Sequence, residues 1–482
     1  MNNNIFYTPT FKKKSIKTYV MTICQDIDKI KKILHKNLNI QKFPKKIFEK
    51  EDIDYKKYFY LDDYEILFLN NQKKCINEVL YHLFGELGML MQSNNGNILV
   101  YLNNNDQNII KNQVISYILG LYRITNFKSN FDKNNYKTYF YHPKIKYKNI
   151  INEAIYEATI QNEIRTLTNT PANILNSIYF KKYISQNLNK SKYLKMTTLN
   201  ETQLKKLGLN LILSVNQGSN NEPLLIKIEY KKLNSKKTSN NNLKPIVFIG
   251  KGVMFDSGGY SIKGGDFSDM KNDMNGSAVV YGLMQLISNA GINGHFIGLL
   301  PLVENMVDAK STRPGDIITC YNKKTVEIID TDAEGRLIIA DCLAYSSIYK
   351  PSLIIDIATL TGDAAYMFGG KASVIMGNNN EIIHHIINEG IENNEKIWEM
   401  PLWTEYVELT KSDIADYKNY SYGAQAGAIM AGAFLSNFVP NKTKWIHLDI
   451  AGVDNLPSNT NMRSFGSSGE IVRTLFNFIM KK

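Results

Sequence analysis

Hydrophobic and polar positions change period several times along the chain. The runs 64–71 (YEILFLNN) and 97–102 (NILVYL) are short and rich in β-formers, which predicts strands, whereas 76–91 and 109–125 repeat apolar residues at helical spacing. This alternation predicts a small α/β domain through about residue 145, with the Tyr-, Lys- and Asn-rich stretch 126–148 as its exposed exit. A helical pattern follows over 149–168 and is broken at Asn169-Thr170-Pro171-Ala172-Asn173.

Beyond a polar, low-complexity loop at 231–242 the pattern becomes regular. Ile246–Gly250, 295–300, 325–329, 353–357 and 445–450 read as strands, with helices at 276–288 and 337–349 between them. Such alternation points to a parallel or mixed sheet with helices on both faces. The expected fold class is therefore α/β with two domains: a smaller N-terminal α/β domain over 1–148, a connecting helix over 149–170, and a C-terminal domain over 171–482 built on a mixed or parallel sheet flanked by helices. Ligands of such sheets collect beyond the carboxyl ends of the strands, so the polar residues there are where chemistry is expected.

Composition narrows the class. A chain of 482 residues, 44% hydrophobic and 21% charged, is neither disordered nor fibrous and is long enough for two cores. Cys24, Cys75, Cys320 and Cys342 lack CxxC spacing, so neither a disulfide scaffold nor a zinc finger is expected, and a reducing compartment is the default. No apolar run approaches the roughly 18 to 20 residues of a spanning helix and no secretory leader opens the chain, so a soluble, cytoplasmic protein with no membrane partner is expected. The net charge is +12, but residues 1–50 alone carry twelve Lys against three acids, a net of +9. Confined to that segment, the surplus reads as a compositionally biased, solvated start more than as a nucleic-acid surface, and the absence of Arg there argues against a transit peptide.

Two strand exits are crowded with charge. After Gly250 come Lys251, Asp256, Lys263, Asp269 and Asp273; after Ile329 come Asp330, Asp332, Glu334 and Arg336. Asp332, Glu334 and Arg336 stand at alternate positions, which in extended backbone aims all three to one side before Leu337 opens a helix. Acids meeting in one cleft raise each other's pKa unless cations neutralise them. Divalent metal does so; oxygen ligands suit Mg, Mn or Zn, and two ions sharing carboxylates would activate a bridging water. Taken singly, each acid also has a plainer reading as a helix cap, a turn residue or a salt-bridge partner of Lys251 or Lys263. Burying the whole set without a function would be costly.

The segments 251–259 (KGVMFDSGG) and 330–337 (DTDAEGRL) resemble the signatures of the leucyl aminopeptidase family, the M17 cytosol aminopeptidases. The resemblance continues through 313–316 (RPGD), 356–362 (DIATLTG), 427–432 (GAIMAG), 447–452 (HLDIAG) and 466–469 (GSSG), covering roughly 160–482; the N-terminal third is similar only in layout. It implies that Lys251, Asp256, Asp273, Asp332 and Glu334 hold two divalent ions, Zn or Mn and possibly Mg, with Lys251 neutral as a ligand. It further implies that Lys263 stabilises the oxyanion and that Arg336 holds a bicarbonate ion acting as general base. The implied activity is removal of the N-terminal residue from peptide substrates by a metal-bridging hydroxide, in a homohexamer.

This sequence departs from the pattern in several places, among them the helix start 274–278 (MNGSA), a tolerable variant. Asp330 stands where the signature begins with Asn, and the spacing from Lys263 to Asp273 is one residue shorter, a difference assigned to the loop 264–268. By motif position Met270, Thr359, Gly362, Ala451 and Asp454 line the pocket for the substrate's first residue. Asp454 replaces an expected apolar residue, and either makes the pocket polar, favouring basic or small first residues, or turns to solvent. Other chemistries find less support: there is no HExxH or GxSxG, the segment after Gly250 lacks phosphate-loop order, and His384-His385 reads as helix surface. A nucleic-acid-binding role, a catalytically silent structural role and a Cys-Gly dipeptidase specificity remain as alternatives.

Overall fold

The computed structural model describes residues 5–7, 18–23, 57–61, 64–69, 77–92, 97–102, 104–124, 127–129, 137–188, 193–233, 243–456 and 465–482. Most of the basic segment 1–50 and much of the polar loop 231–242 lie outside these residues. The chain divides into two compact units, the first ending at Asn162 and the second starting at Glu163.

The first unit is built on six strands, β1 (Ile5–Tyr7), β2 (Thr18–Ile23), β3 (Lys57–Leu61), β4 (Tyr64–Leu69), β5 (Asn97–Tyr101) and β6 (Thr138–Tyr141), in the order β1-β6-β5-β2-β4-β3. Only the β3–β4 pair is antiparallel. Helices α1 (Asn77–Met91), α2 (Gln107–Gly120) and the start of α3 (Lys148–Thr168) contribute Phe84, Leu87, Val114, Tyr117, Ile151 and Ala158 to its core. Asp106 caps α2 by accepting from the amides of Asn108 and Ile109. The stretch expected as an exposed exit instead contains β6, whose Phe140 is buried edge-on against Tyr117. Polar neighbours hid it, because alternate residues of that strand face away from the core.

The second unit opens with α4 (Ser177–Leu188), β7 (Leu194–Leu199), α5 (Glu201–Leu207), α6 (Asn210–Asn216) and β8 (Leu224–Lys232). Its central part runs β9 (Ile246–Gly250), β10 (Gly252–Asp256), α7 (Asn275–Ala290), β11 (Gly294–Asn305), β12 (Ile317–Thr319), β13 (Thr325–Glu327), α8 (Gly335–Tyr345) and β14 (Leu353–Ala358). Then follow α9 (Gly362–Met367), β15 (Ser373–Gly377), α10 (Asn380–Glu392), β16 (Ile397–Glu399), α11 (Thr404–Glu408), β17 (Tyr417–Lys418), α12 (Gly427–Ser436), β18 (Lys444–Asp449), α13 (Ala451–Asp454) and α14 (Val472–Met480).

The main sheet is mixed, in the order β16-β15-β18-β14-β9-β11-β8-β7, with β10 paired beside β11. Its middle, β18-β14-β9-β11, is parallel, so those four carboxyl ends open on one edge. The run expected at 325–329 is not part of this sheet: β13 pairs with β12 and β17 in a separate small sheet that carries the acidic loop. Strand β9 is buried throughout, because its own sheet neighbours and the helices over both faces exclude water from it. Gly276 lets α7 meet the sheet there; a Cβ would stand 2.1 Å from the Ile357 carbonyl oxygen.

Candidate metal centre

Lys251 follows β9 directly, and its amide donates to the Ile357 carbonyl of neighbouring β14 at 2.9 Å. Asp256 ends β10, and Asp273 stands just before α7, after a short 3₁₀ turn over Ser268–Asn272. Asp332 and Glu334 come from the loop between β13 and α8, and Thr359 from the exit of β14. Four connections thus bring their side chains to one edge of the sheet.

The contacts there are short and charged. Lys251 Nζ lies 2.6 Å from Asp273 Oδ1 and 2.8 Å from Glu334 Oε1, and donates to the Thr359 carbonyl at 2.9 Å. Lys263 Nζ lies 2.8 Å from Asp256 Oδ2 and 2.5 Å from Asp332 Oδ1. Thr359 Oγ1 donates to Asp273 Oδ1 at 2.8 Å. Gly335 makes room for Lys251, since a Cβ there would stand 2.4 Å from its Cε. The two lysines differ in access: the Lys251 side chain is 3% exposed and that of Lys263 is 20% exposed.

Fully ionised, four carboxylates against two ammoniums would leave this cluster two negative charges in excess. Burial pushes the carboxyl of Asp256 up, aided by Glu334, and that of Asp273 well up despite Lys251. Asp332 is pushed up to about 7 by burial and by the charges of Asp256 and Glu334. Burial acts the same way on Glu334, but Lys251 and Lys263 outweigh it and hold its carboxyl low. For both lysines burial disfavours the ammonium, yet the surrounding carboxylates prevail and raise it. Lys251 is therefore an ammonium in the metal-free chain, and the neutral ligand state requires cations to replace it among the acids.

The residues fit divalent metal. Oxygens of Asp256, Asp332 and Glu334 all lie within 4.8 Å of one another. Asp273 Oδ2 is buried without a hydrogen-bond partner, and Asp332 Oδ1 and Glu334 Oε1 meet the lysines only as ion pairs. A hard-oxygen donor set with surplus charge and unsatisfied lone pairs is what such ions require.

Arg336, on the first turn of α8, donates from Nη1 to the Asn419 carbonyl at 2.9 Å and lines a small cavity with Asn419, Tyr420 and Gly427; its Nε is buried with no hydrogen-bond partner. Met270 sits in the 3₁₀ turn, Gly362 opens α9, and Ala451 opens α13 with its amide on Asp449. Asp454 does not turn to solvent. It is 4% exposed and accepts from Asn275 Nδ2 at 2.5 Å and Ser467 Oγ at 3.0 Å, because a buried carboxylate must find donors. Asp330 closes a local turn by accepting the Asp332 amide at 2.9 Å. Gly264 and Gly265 lie in open space, where a one-residue difference in loop length is easily absorbed. His384 and His385 are on α10, with His384 largely exposed beside Glu399.

Three residues that sequence reading passed over tie the site loops together. Asn305, at the end of β11, donates to Asp256 Oδ1 at 2.8 Å and to the Thr331 carbonyl at 3.0 Å. Asp449, at the end of β18, accepts from the Leu360 amide and from Thr361 Oγ1 at 3.0 and 2.7 Å, fixing the turn that carries Thr359. Asn419 is the third. Asp449 lay within a quoted motif; Asn305 follows a strand expected to stop five residues earlier, and Asn419 had no local signal.

Residues 162–476 match the catalytic domain of the cytosol aminopeptidase family, most of the chain. The chain belongs to that family. It is 39% identical over 319 residues to a protein named probable cytosol aminopeptidase from Thioalkalivibrio sulfidiphilus, covering 66% of this chain and 62% of that one. A namesake from Hamiltonella defensa is 40% identical over 333 residues, 69% of this chain and 64% of that one. The chain thus spans somewhat less than two thirds of the length of these curated relatives. The crystal structure of a cytosol aminopeptidase from Coxiella burnetii superposes with a TM-score of 0.81 at 25% identity, over 98% of each chain. A bottromycin maturation enzyme solved in complex with Mn shares the fold, with a TM-score of 0.81 at 22% identity over 96% of this chain and 98% of that one. The α/β architecture in two units is that of the cytosol aminopeptidases, and no helix among the described residues is long and apolar enough to cross a membrane.

Proposed function

We propose that this chain is a metal-dependent aminopeptidase that releases the N-terminal residue of peptides. The observation that carries the reading is the buried, net-negative cluster in which Asp256, Asp332 and Glu334 converge within 4.8 Å beside Asp273 and two lysines. Lys251, Asp256, Asp273, Asp332 and Glu334 would hold two ions, Zn or Mn and in some conditions Mg. When bound, these supply Lewis acidity and an activated water.

The protein's own groups divide the remaining work. Lys263, the more accessible lysine, is released from Asp256 and Asp332 once cations neutralise them, and its ammonium meets the negative charge that develops on the scissile carbonyl oxygen. Arg336 offers a buried, unpartnered Nε that would hold an anion such as bicarbonate, which when bound would supply a proton acceptor there. Met270, Thr359, Gly362, Ala451 and Asp454 bound the first-residue pocket in this reading. A homohexamer in the cytoplasm is the assembly and location that the family resemblance favours.

Hydrolysis of leucine amide by the purified chain, with and without added Mn²⁺, tests the proposal. Turnover that needs metal and vanishes in Asp332→Ala/Glu334→Ala is expected. No turnover of any amino-acid amide by the metal-loaded parent would overturn it.

A further inference from the structure

The loop that carries Asp332 and Glu334 has little regular structure of its own, so something else must fix its shape. Asn419 does this. It lies just past β17, whose parallel pairing with β13 sets Val326 opposite Tyr417 and Glu327 opposite Lys418. Asn419 is 1% exposed. Its Oδ1 accepts from the amides of Ile329 at 2.8 Å and Asp330 at 3.3 Å. Its Nδ2 donates to the carbonyls of Asp330 at 2.6 Å and Ala333 at 3.3 Å. The backbone joins in: the Asn419 amide donates to the Glu327 carbonyl at 3.0 Å, and its carbonyl accepts from Arg336 Nη1 at 2.9 Å.

A side-chain amide suits this place because it offers acceptor and donors on one planar group. Aspartate is nearly isosteric and keeps an acceptor for Ile329 and Asp330. It has no donor for the Asp330 and Ala333 carbonyls, and would add charge beside a cluster that is already too negative. Alanine would leave the half-buried amides of Ile329 and Asp330 and the carbonyls of Asp330 and Ala333 without this partner.

We propose that Asn419 is a positioning residue for metal binding: it shapes 329–333 so that Asp332 and Glu334 reach Asp256, and it orients Arg336 through its carbonyl. This rests on the reading of the carboxylate cluster as a metal site. Asn419 touches no reacting atom, and its effect passes through the loop.

The test is calorimetric titration of the metal-free full chain with Mn²⁺, for the parent, Asn419→Asp, Asn419→Ala and Asn393→Asp. Asn393 is a buried amide outside the acidic cluster, accepting from Arg473 and Asn477 and donating to the Glu389 carbonyl, and its replacement reports the cost of losing a buried side-chain amide donor. The Asn419 variants should bind Mn²⁺ about 10- to 100-fold more weakly, whereas Asn393→Asp should lower the melting temperature and leave the affinity unchanged. Unchanged Mn²⁺ affinity in a folded Asn419 variant would overturn the proposal. Should neither variant fold, hydrogen exchange of the parent decides: bound Mn²⁺ should slow exchange of the Ile329 and Asp330 amides, and equal rates with and without it would refute the coupling. A parent that binds Mn²⁺ but hydrolyses no amide would refute the aminopeptidase reading alone.

Discussion

Two clusters of buried charge in the second unit use the same residue types to opposite ends. Beneath α14, Glu395 Oε1 meets Arg473 Nη2 at 3.0 Å, while Oε2 accepts from the Ile471 amide at 3.0 Å and Thr474 Oγ1 at 2.5 Å. Arg473 Nη1 donates to Asn393 Oδ1 at 3.3 Å, and Nη2 also donates to the Asn393 carbonyl at 3.1 Å. In the ion pair itself one acid faces one base, and both Glu395 oxygens are engaged, so this cluster holds the helix start, including Ile471 in a left-handed conformation at φ 75°. At the edge of the sheet, four acids face two lysines and a buried carboxylate oxygen has no donor at all. Burial of charge is common to both. What separates a brace from a binding site is whether the charges and hydrogen bonds balance.

The largest effect is expected where the imbalance is removed. Asp332→Ala/Glu334→Ala should reduce metal-dependent turnover of leucine amide to the uncatalysed level while lowering the melting temperature of the metal-free chain far less than Arg473→Met does, since Asp273 and Asp256 still pair with Lys251 and Lys263. A drop in melting temperature comparable to that of breaking the brace would erase the distinction between the clusters. Lys263→Met should lower kcat by about 10²- to 10³-fold with a smaller change in KM, as removal of an oxyanion partner does; steady-state kinetics on leucine amide read the split.

Breaking the balanced cluster should act on stability instead. Arg473→Met strands the Glu395 carboxylate and should cost about 3–5 kcal/mol in denaturant unfolding, with Mn²⁺ affinity unchanged in whatever fraction remains folded. Asp454 sharpens the comparison as a third case, a buried acid that accepts two side-chain hydrogen bonds and, among the described residues, has no cation in contact. Burial pushes its carboxyl up to about 7, against the pull of Ser467 and Asn275. The folded state then holds this proton more tightly than the unfolded chain, whose ordinary value is near 4, so the contribution of Asp454 to stability falls as pH rises from about 4 to about 7. Asp454→Asn has no such slope. It should match the parent at pH 4 and exceed it by about 2–4 kcal/mol at pH 8, measured by urea unfolding across that range.

Much of the site was legible because its charged residues sit at strand exits, within motifs of a few residues. Lys251, Asp256, Asp273, Asp332, Glu334 and Thr359 meet because β9 and β14 are neighbours and the loops are short. The residues that hold them in place were not legible, since their bonds span the chain: Asn419 reaches loop residues 86 to 90 positions away, and Asp449 reaches Thr361 across 88. The fold divides similarly. Runs such as Ile246–Gly250 betray themselves by being apolar throughout, whereas β6 and the two-residue β17 carry polar residues on solvated faces and gain their strand character only from their partners.

The central claim is that the surplus negative charge at the sheet edge exists to hold two cations. Equilibrium dialysis of the metal-free chain against Mn²⁺ at neutral pH tests it directly. The account predicts about two ions per chain in the parent, lost in Asp332→Ala/Glu334→Ala and retained in Arg473→Met. A parent that retains no Mn²⁺, or a double variant that retains as much as the parent, would contradict it.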